Sequence, residues 1–537
     1  MLSVDTVRVE ARGTWFENAR SLSEEPTLNT VHGVIDVDLP GPRINRHIYG
    51  QFAEHLGRCI YGGFFVGEDS EIPHKGGIRL DVVEALRAIA VPNLRWPGGC
   101  FADEYHWRDG IGPREQRPRM VNSHWGDVVE DNSFGTHEFM ALCELLGAEP
   151  YISVNVGSGT VREASEWAEY LTRGDDSPMA ALRRSNGRDE PWPVRFWGLG
   201  NEPWGCGGGM GPERYADLAR TFGTYSRDHG GNRLYRVAAG ASSDNYRWTE
   251  VLMKALGREL GSGKTVGEGS GTFQAISFHH YTLSGPWERK GSATEFDLEE
   301  YYWTMVKAAQ IEEILAGHAR IMDAYDPAKA IGLVLDEWGT WFDVEPGTNP
   351  GFLFQQNTLR DALVAGVHFD AFHRHADRLV MANIAQTVNV LQAMLLTDGK
   401  ALVLTPSYHV FAMNKDHQDA ESLTLRLTNP APVRRVATAE LDTFSATASR
   451  KDGQLLISLT NLDAEARLAV ELDLRGAELG TPTATVLSAD SLNAHNTPDE
   501  PNAVGPRPLD ALALDGNVLR VQLPPHAFAT VAIPVRG

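Results

Sequence analysis

Two short segments constrain this chain more than any other feature. Trp197-Gly198-Leu199-Gly200-Asn201-Glu202-Pro203 and Leu333-Val334-Leu335-Asp336-Glu337-Trp338-Gly339 each carry a mostly apolar run into a glutamate with aromatic and glycine neighbours. A core strand gains nothing by ending on an ionised carboxylate, which resists leaving water. The pattern makes sense where the carboxylate faces a pocket. Two such carboxylates are what glycosidic bond cleavage needs: one protonates the departing oxygen, and the other attacks or activates water. The stretch between them accommodates three β/α units of roughly 45 residues, which puts the glutamates three strands apart on one rim of a barrel.

The rest of the chain fits that frame. From about Val34, apolar runs of strand length alternate with amphipathic stretches. The expected strands are Ile48–Phe52, Asn93–Pro97, Pro150–Val156, Val194–Leu199, Tyr235–Ala239, Ala275–Phe278, Ile331–Leu335 and Leu379–Ala385. Helix-like segments between them include Asp81–Ala90, His137–Leu146, Glu163–Leu171, Glu213–Arg227, Trp248–Leu260, Leu298–Ala324 and Phe354–Phe372. The expected fold is α/β, a (β/α)8 TIM barrel over residues 48–396. After about Thr397 the helical periodicity fades. Runs such as Leu423–Leu427, Leu455–Leu459, Leu468–Leu472 and Val518–Leu523, two of them preceded by Asp-Gly turns, predict a jelly-roll-like β-sandwich over 397–537. Residues 1–27 read as a poorly ordered extension. Residues 28–47 hold the strand-like Gly33–Asp38, which precedes the barrel and is expected to join the sandwich.

Composition removes several function classes. With 49 Lys+Arg against 71 Asp+Glu the net charge is −22, which repels nucleic acids and anionic membranes but not a neutral sugar. No stretch approaches the roughly 20 apolar residues of a membrane helix, and the N-terminus lacks the apolar run of a signal peptide. Cys59, Cys100, Cys143 and Cys206 show no paired metal spacing and read as reduced thiols of a cytoplasmic protein. His373-Arg374-His375 places two histidines on different helix faces, so no metal is expected. No nicotinamide-binding or serine-hydrolase signature is present, and no cofactor is expected.

Other strand ends add candidates. Glu54, after the first strand, could accept two sugar hydroxyls, cap a helix or pair with Arg58. Arg95 at the end of the second strand either keeps a nearby nucleophile ionised or forms a structural ion pair. His279-His280-Tyr281 closes the sixth strand with groups that orient a carboxylate, although His280 alone reads better as structural. Trp338 and Trp341 offer sugar-stacking faces.

These residues resemble the α-L-arabinofuranosidases of glycoside hydrolase family 51. The resemblance runs from about Val34 to the C-terminus through Phe52–Gly57, Leu94–Gly99, Trp107–Pro113, Gly198–Glu202, His279–Tyr281, Asp336–Trp338 and Asn383–Val390. It implies a retaining, exo-acting hydrolase with Glu202 as acid/base and Glu337 as nucleophile. It further implies that Glu54, Asn201, Tyr281 and Gln386 bind the terminal furanose, that His279 stands near the nucleophile, and that Trp125 borders the entrance. The implied substrates are arabinan, arabinoxylan or arabino-oligosaccharides, and the implied assembly is a trimer or hexamer. Cys100 stands where many members carry asparagine, and a thiol is a weaker hydrogen-bond partner than an amide. Two alternatives are a retaining glycosidase of this architecture acting on another furanoside or a β-glucan, and a carbohydrate-binding protein on a decayed barrel. The decayed barrel predicts loss of one glutamate, and both are present.

Overall fold

The computed structural model describes residues 30–260 and 273–536, so the extension expected over 1–27 lies outside the described residues. Eight parallel strands close a barrel in chain order: Gly50–Phe52, Asn93–Trp96, Glu149–Val154, Phe196–Leu199, Tyr235–Ser242, Ala275–Thr282, Gly332–Thr340 and Leu379–Ile384. Their apolar runs follow from burial on both faces, with helices outside and packed side chains within. Tyr151, Phe196, Val237, Ala275, Val334 and Met381, most of them early in their strands, form one layer that plugs the lower barrel. The polar residues above it therefore face the rim at the C-terminal strand ends.

The seventh strand carries the detail that matters for chemistry. Pairing advances from Ser277 to His279 on the sixth strand while it advances from Val334 to Glu337 on the seventh. On the other edge, Leu335 to Trp338 spans only Ala382 to Ile384. One extra residue is thus inserted in the seventh strand, a β-bulge. In a regular strand Asp336 and Glu337 would point to opposite faces. The bulge lets both carboxylates serve the same site.

The C-terminal domain is an eleven-stranded sheet that curls over its own apolar core of Val31, Ile35, Ile457, Leu472, Val521, Val531 and their neighbours. Thr30–Arg43, although it precedes the barrel, lies inside this sheet. It pairs antiparallel with Glu421–Leu427 and parallel with Leu468–Arg475. Helix Leu359–Arg374 joins the two domains and is buried at every position through His373, because the barrel covers one side and the sheet the other. The stretch expected as one helix over Leu298–Ala324 is two, Leu298–Ala309 and Ile311–Tyr325. At Gln310 the backbone N–H bonds the Lys307 carbonyl. That single tightened turn hardly disturbs the three-four spacing of apolar residues, so the sequence reads straight through it.

Candidate active site

Glu202 follows the fourth barrel strand and Glu337 lies in the seventh. An oxygen of Glu202, a ring nitrogen of His279 and an oxygen of Glu337 all lie within 4.8 Å of one another. His279 Nδ1 is 2.8 Å from Glu202 Oε1 and 3.5 Å from Glu337 Oε2, and its Nε2 is 3.2 Å from Asp336 Oδ1. Burial alone would favour the neutral ring, but the surrounding carboxylates, Glu337 foremost, outweigh it and push the imidazole up to about 10. Glu202 also shifts upward: burial raises it, its contact with His279 opposes, and the Glu337 charge adds to the rise. Its backbone φ is +37°, a left-handed conformation that costs a non-glycine residue on the order of 1 kcal/mol and that recurs at functional sites.

Glu337 is held by two donors. Arg95 Nη1 donates to its Oε2 at 3.0 Å, and the Tyr281 hydroxyl donates to its Oε1 at 2.7 Å. Arg95 is fully buried, packs over the Phe52 ring at 4.4 Å, and donates from Nη2 to Asn201 Oδ1 at 2.6 Å. One guanidinium therefore links both strand ends. For Asp336, burial acts upward but is overcome by Arg95, His279 and the Tyr151 hydroxyl, which hold it at about 2.

Glu54 forms the floor on the opposite side. Its Oε1 accepts from the backbone N–H of Gly99 at 2.9 Å, that of Phe101 at 3.1 Å and the Trp125 indole at 2.9 Å. Its Oε2 accepts from Gln386 Nε2 at 2.7 Å. Arg58 donates instead to the Thr397 carbonyl, so the considered Glu54–Arg58 pair is not formed. Burial, then the nearby Glu337 charge, push Glu54 up to about 7. The Pro97-Gly98-Gly99 turn has glycines because a Cβ on Gly98 would lie 2.6 Å from Glu54 Cγ, and one on Gly99 would lie 3.2 Å from Glu337 Oε2.

The sequence reading needs correction at the cysteines. Cys100 and Cys206 are joined as a disulfide, whereas Cys59 and Cys143 are free and buried. The two partners are 106 residues apart, and only closure of the barrel brings the loops after its second and fourth strands together. Cys206 Sγ lies 3.7 Å from Glu202 Oε2, so the bridge touches the glutamate rather than offering a thiol. Asp103 is a site residue that the sequence reading missed. Its carboxylate accepts from the backbone N–H groups of Val156 at 2.8 Å, Gly157 at 2.8 Å and Asn201 at 2.9 Å. It thereby ties the third strand end to the residue preceding Glu202.

These groups line a cavity of about 670 Å³, whose walls include Glu54, Cys100, Trp125, Glu202, His279, Tyr281 and Glu337. Asn201 and Gln386 sit behind that wall, bonded to Arg95 and Glu54, and Gln386 Oε1 is buried without a partner. Trp204, Trp287 and Trp341 supply aromatic wall. Trp338, expected as a stacking face, is fully buried in the core, because the bulge turns it away and leaves Trp341 facing the cavity. His280 bonds Ser243. His373 and His375 go to separate partners, Tyr49 and Glu312. Another cavity of about 390 Å³, near Arg58, Phe352 and Asn496, has no carboxylate pair. Glu202, His279 and Glu337 are close enough to share a cation, but Arg95 and a positive His279 already supply the counter-charge there.

Comparison with known proteins finds relatives along nearly the whole chain. Residues 85–244 match the family model described as α-L-arabinofuranosidase 1 domain, and residues 336–527 match that described as α-L-arabinofuranosidase C-terminal domain. An intracellular exo-α-L-arabinofuranosidase of Bacteroides ovatus is 52% identical over 91% of this chain and 93% of its own. The crystal structure of the GH51 arabinofuranosidase from Xanthomonas axonopodis pv. citri is 48% identical, covers 94% of this chain and 99% of its own, and superposes with a TM-score of 0.90. An arabinose complex of the Thermotoga maritima α-L-arabinofuranosidase is 30% identical, covers 94% of this chain and 100% of its own, and has a TM-score of 0.81.

Proposed function

Because the chain belongs to the α-L-arabinofuranosidases of glycoside hydrolase family 51, we propose that it is an exo-acting enzyme that releases terminal arabinofuranose with retention of configuration. The observation that carries this reading is the carboxylate spacing: oxygens of Glu202 and Glu337 lie within 4.8 Å. Retaining glycosidases hold their carboxyl groups about 5–5.5 Å apart, whereas inverting enzymes leave roughly 6.5–9.5 Å for a water.

In the first step Glu337 attacks the anomeric carbon while Glu202 gives its proton to the departing oxygen, forming a glycosyl ester and a free aglycone hydroxyl. In the second, Glu202 takes a proton from water, the water oxygen bonds the anomeric carbon, and the ester to Glu337 breaks. The environments suit these roles. Glu202 is shifted toward its protonated form, and Oε2 is the oxygen free to carry the acid proton because Oε1 accepts from His279. Glu337 has a guanidinium and a phenol on its two oxygens. Glu54, Asn201, Tyr281 and Gln386 form the furanose-binding set, with Glu54 and Tyr281 on the cavity wall and Asn201 and Gln386 bracing it from behind through Arg95 and Glu54, and Trp125 borders the entrance.

The substrates are arabinose-containing oligo- or polysaccharides such as arabinan and arabinoxylan. Cytoplasmic residence is part of the same reading, supported by the intracellular Bacteroides ovatus relative, as is a trimeric or hexameric assembly, supported by family resemblance. Proton NMR of the first-formed anomer from an aryl α-L-arabinofuranoside tests the scheme: α-arabinofuranose is expected, and β-product overturns it.

A further inference from the structure

The loop after the sixth barrel strand places a cation at the mouth of the cavity. Lys290 Nζ lies 4.6 Å from the centroid of the Trp287 ring and 5.8 Å from that of Trp341. The two indoles meet edge-to-face at 4.9 Å, and Trp341 meets Tyr281 at the same distance. Tyr281 in turn donates to Glu337. Lys290 therefore stands outward from the nucleophile along a continuous aromatic wall.

Three features define the setting of this lysine. Trp287 is 51% exposed at the edge of the catalytic cavity that it lines, with one side packed on Trp341. The turn is pinned: Ser284 Oγ donates to the Lys290 carbonyl, and Asp343 N–H donates to the Gly291 carbonyl across to the loop after the seventh strand. Among the described residues the ammonium also has no acidic partner, as with several other lysines of the chain. Among the described residues the ion-paired lysines are Lys254, Lys329 and Lys400. The other charges of the turn, Glu288 and Arg289, are exposed and balance each other. In a chain of net charge −22, long-range repulsion works against anionic polymers. A lysine without a carboxylate, held on an aromatic platform at the mouth, offsets that repulsion locally.

We propose that Trp287, Lys290 and Trp341 form an aglycone subsite for a leaving group that carries a carboxylate, a uronic acid residue of the polysaccharide backbone or its branches. The indoles take the sugar faces and Lys290 takes the carboxylate, while the terminal furanose occupies the pocket around Glu54. The inference rests on the proposed arabinofuranosidase reading and names its substrate class.

The test compares two defined oligosaccharides in the full-length enzyme: an arabinosylated xylo-oligosaccharide, and the same molecule with one glucuronic acid branch. The readout is the ratio of kcat/KM, anionic over neutral. At low salt, Lys290→Gln is expected to lower that ratio roughly threefold to tenfold, and Lys290→Arg to restore it. At 0.5 M salt, where the Debye length shrinks to a few ångströms, the difference in this ratio between wild type and Lys290→Gln is expected to shrink toward zero. A ratio unmoved by Lys290→Gln, or a difference between wild type and Lys290→Gln that 0.5 M salt leaves unchanged, overturns the inference even if both substrates are cleaved. Failure of the wild type to cleave the neutral substrate or an aryl arabinofuranoside would refute the underlying arabinofuranosidase reading, and this inference with it.

Discussion

His279 Nδ1 lies 2.8 Å from Glu202 Oε1 while its Nε2 faces Asp336 at 3.2 Å. One imidazole thus connects the glutamate after the fourth strand to the bulge of the seventh. Because the His279 contact lowers Glu202 against the upward push of burial, removing it has a signed consequence. His279→Gln should let Glu202 rise further, so the alkaline limb of the kcat/KM profile moves to higher pH. Turnover should fall by roughly 10²-fold. A limb that stays in place or moves downward refutes this role.

Loss of either glutamate should remove most activity, but with different signatures. Glu337→Ala is expected to reduce hydrolysis of an aryl arabinofuranoside by on the order of 10⁴-fold or more. Glu202→Ala should retain the first step on activated leaving groups and stall at the ester. Azide, which needs no base, then attacks that ester and should yield the α-azide. Recovery of the β-azide would point to a single displacement.

The Cys100–Cys206 bridge makes activity sensitive to thiol chemistry. It ties the loop that carries Glu202 to the loop after the second strand, and its sulfur touches Glu202 Oε2. Cys206→Ser, or treatment with a phosphine reductant, should lower kcat several-fold with a smaller change in KM, because the glutamate is less firmly placed. Thiol counts before and after reduction, read alongside activity, check this. Full activity with four titratable thiols would show that the bridge is dispensable.

Asp370 predicts a pH-dependent weakness between the domains. It lies on the buried helix Leu359–Arg374, with Oδ1 unpartnered and Oδ2 3.4 Å from Thr460 of the sheet. Burial pushes its carboxyl up to about 7; Arg374, Ser445 and Thr460 oppose, and Glu312 adds slightly to the rise. A carboxyl raised in this way stabilises the fold fully below its unfolded value near 4, and that contribution is lost as pH rises through about 7. The nearby His417 is held down to about 3 by burial and does not titrate in that window. Asp370→Asn should therefore stabilise the protein by about 1.4 kcal/mol more at pH 9 than at pH 6, the linkage value of roughly one pH unit. Equal melting shifts at both pH values would contradict it.

Barrel and sheet were legible because their signals are periodic: alternating strand and helix textures, then short strands behind Asp-Gly turns. Glu202 and Glu337 stood out because a carboxylate at the end of an apolar run is costly without a pocket. What stayed hidden depends on contacts between distant segments. Asp103 carries no local pattern, since its three donors come from loops far along the chain. The Cys100–Cys206 pairing follows from barrel closure, and cysteine spacing alone pointed to thiols. Trp338 and Trp341 look equivalent in sequence, and only the one-residue insertion in the seventh strand decides which faces the cavity.

The strand Thr30–Arg43 has a consequence for how this molecule is made. It reaches its neighbours Glu421–Leu427 and Leu468–Arg475 only after the barrel between them in sequence has been synthesised. A nascent chain must therefore carry Val31, Ile35 and Val37, which end fully buried, as an unpaired apolar edge for most of translation. Truncating the C-terminal sheet would leave that same edge permanently open. The barrel cannot be cut out cleanly as an independent catalyst unless this strand is removed with the sheet that receives it.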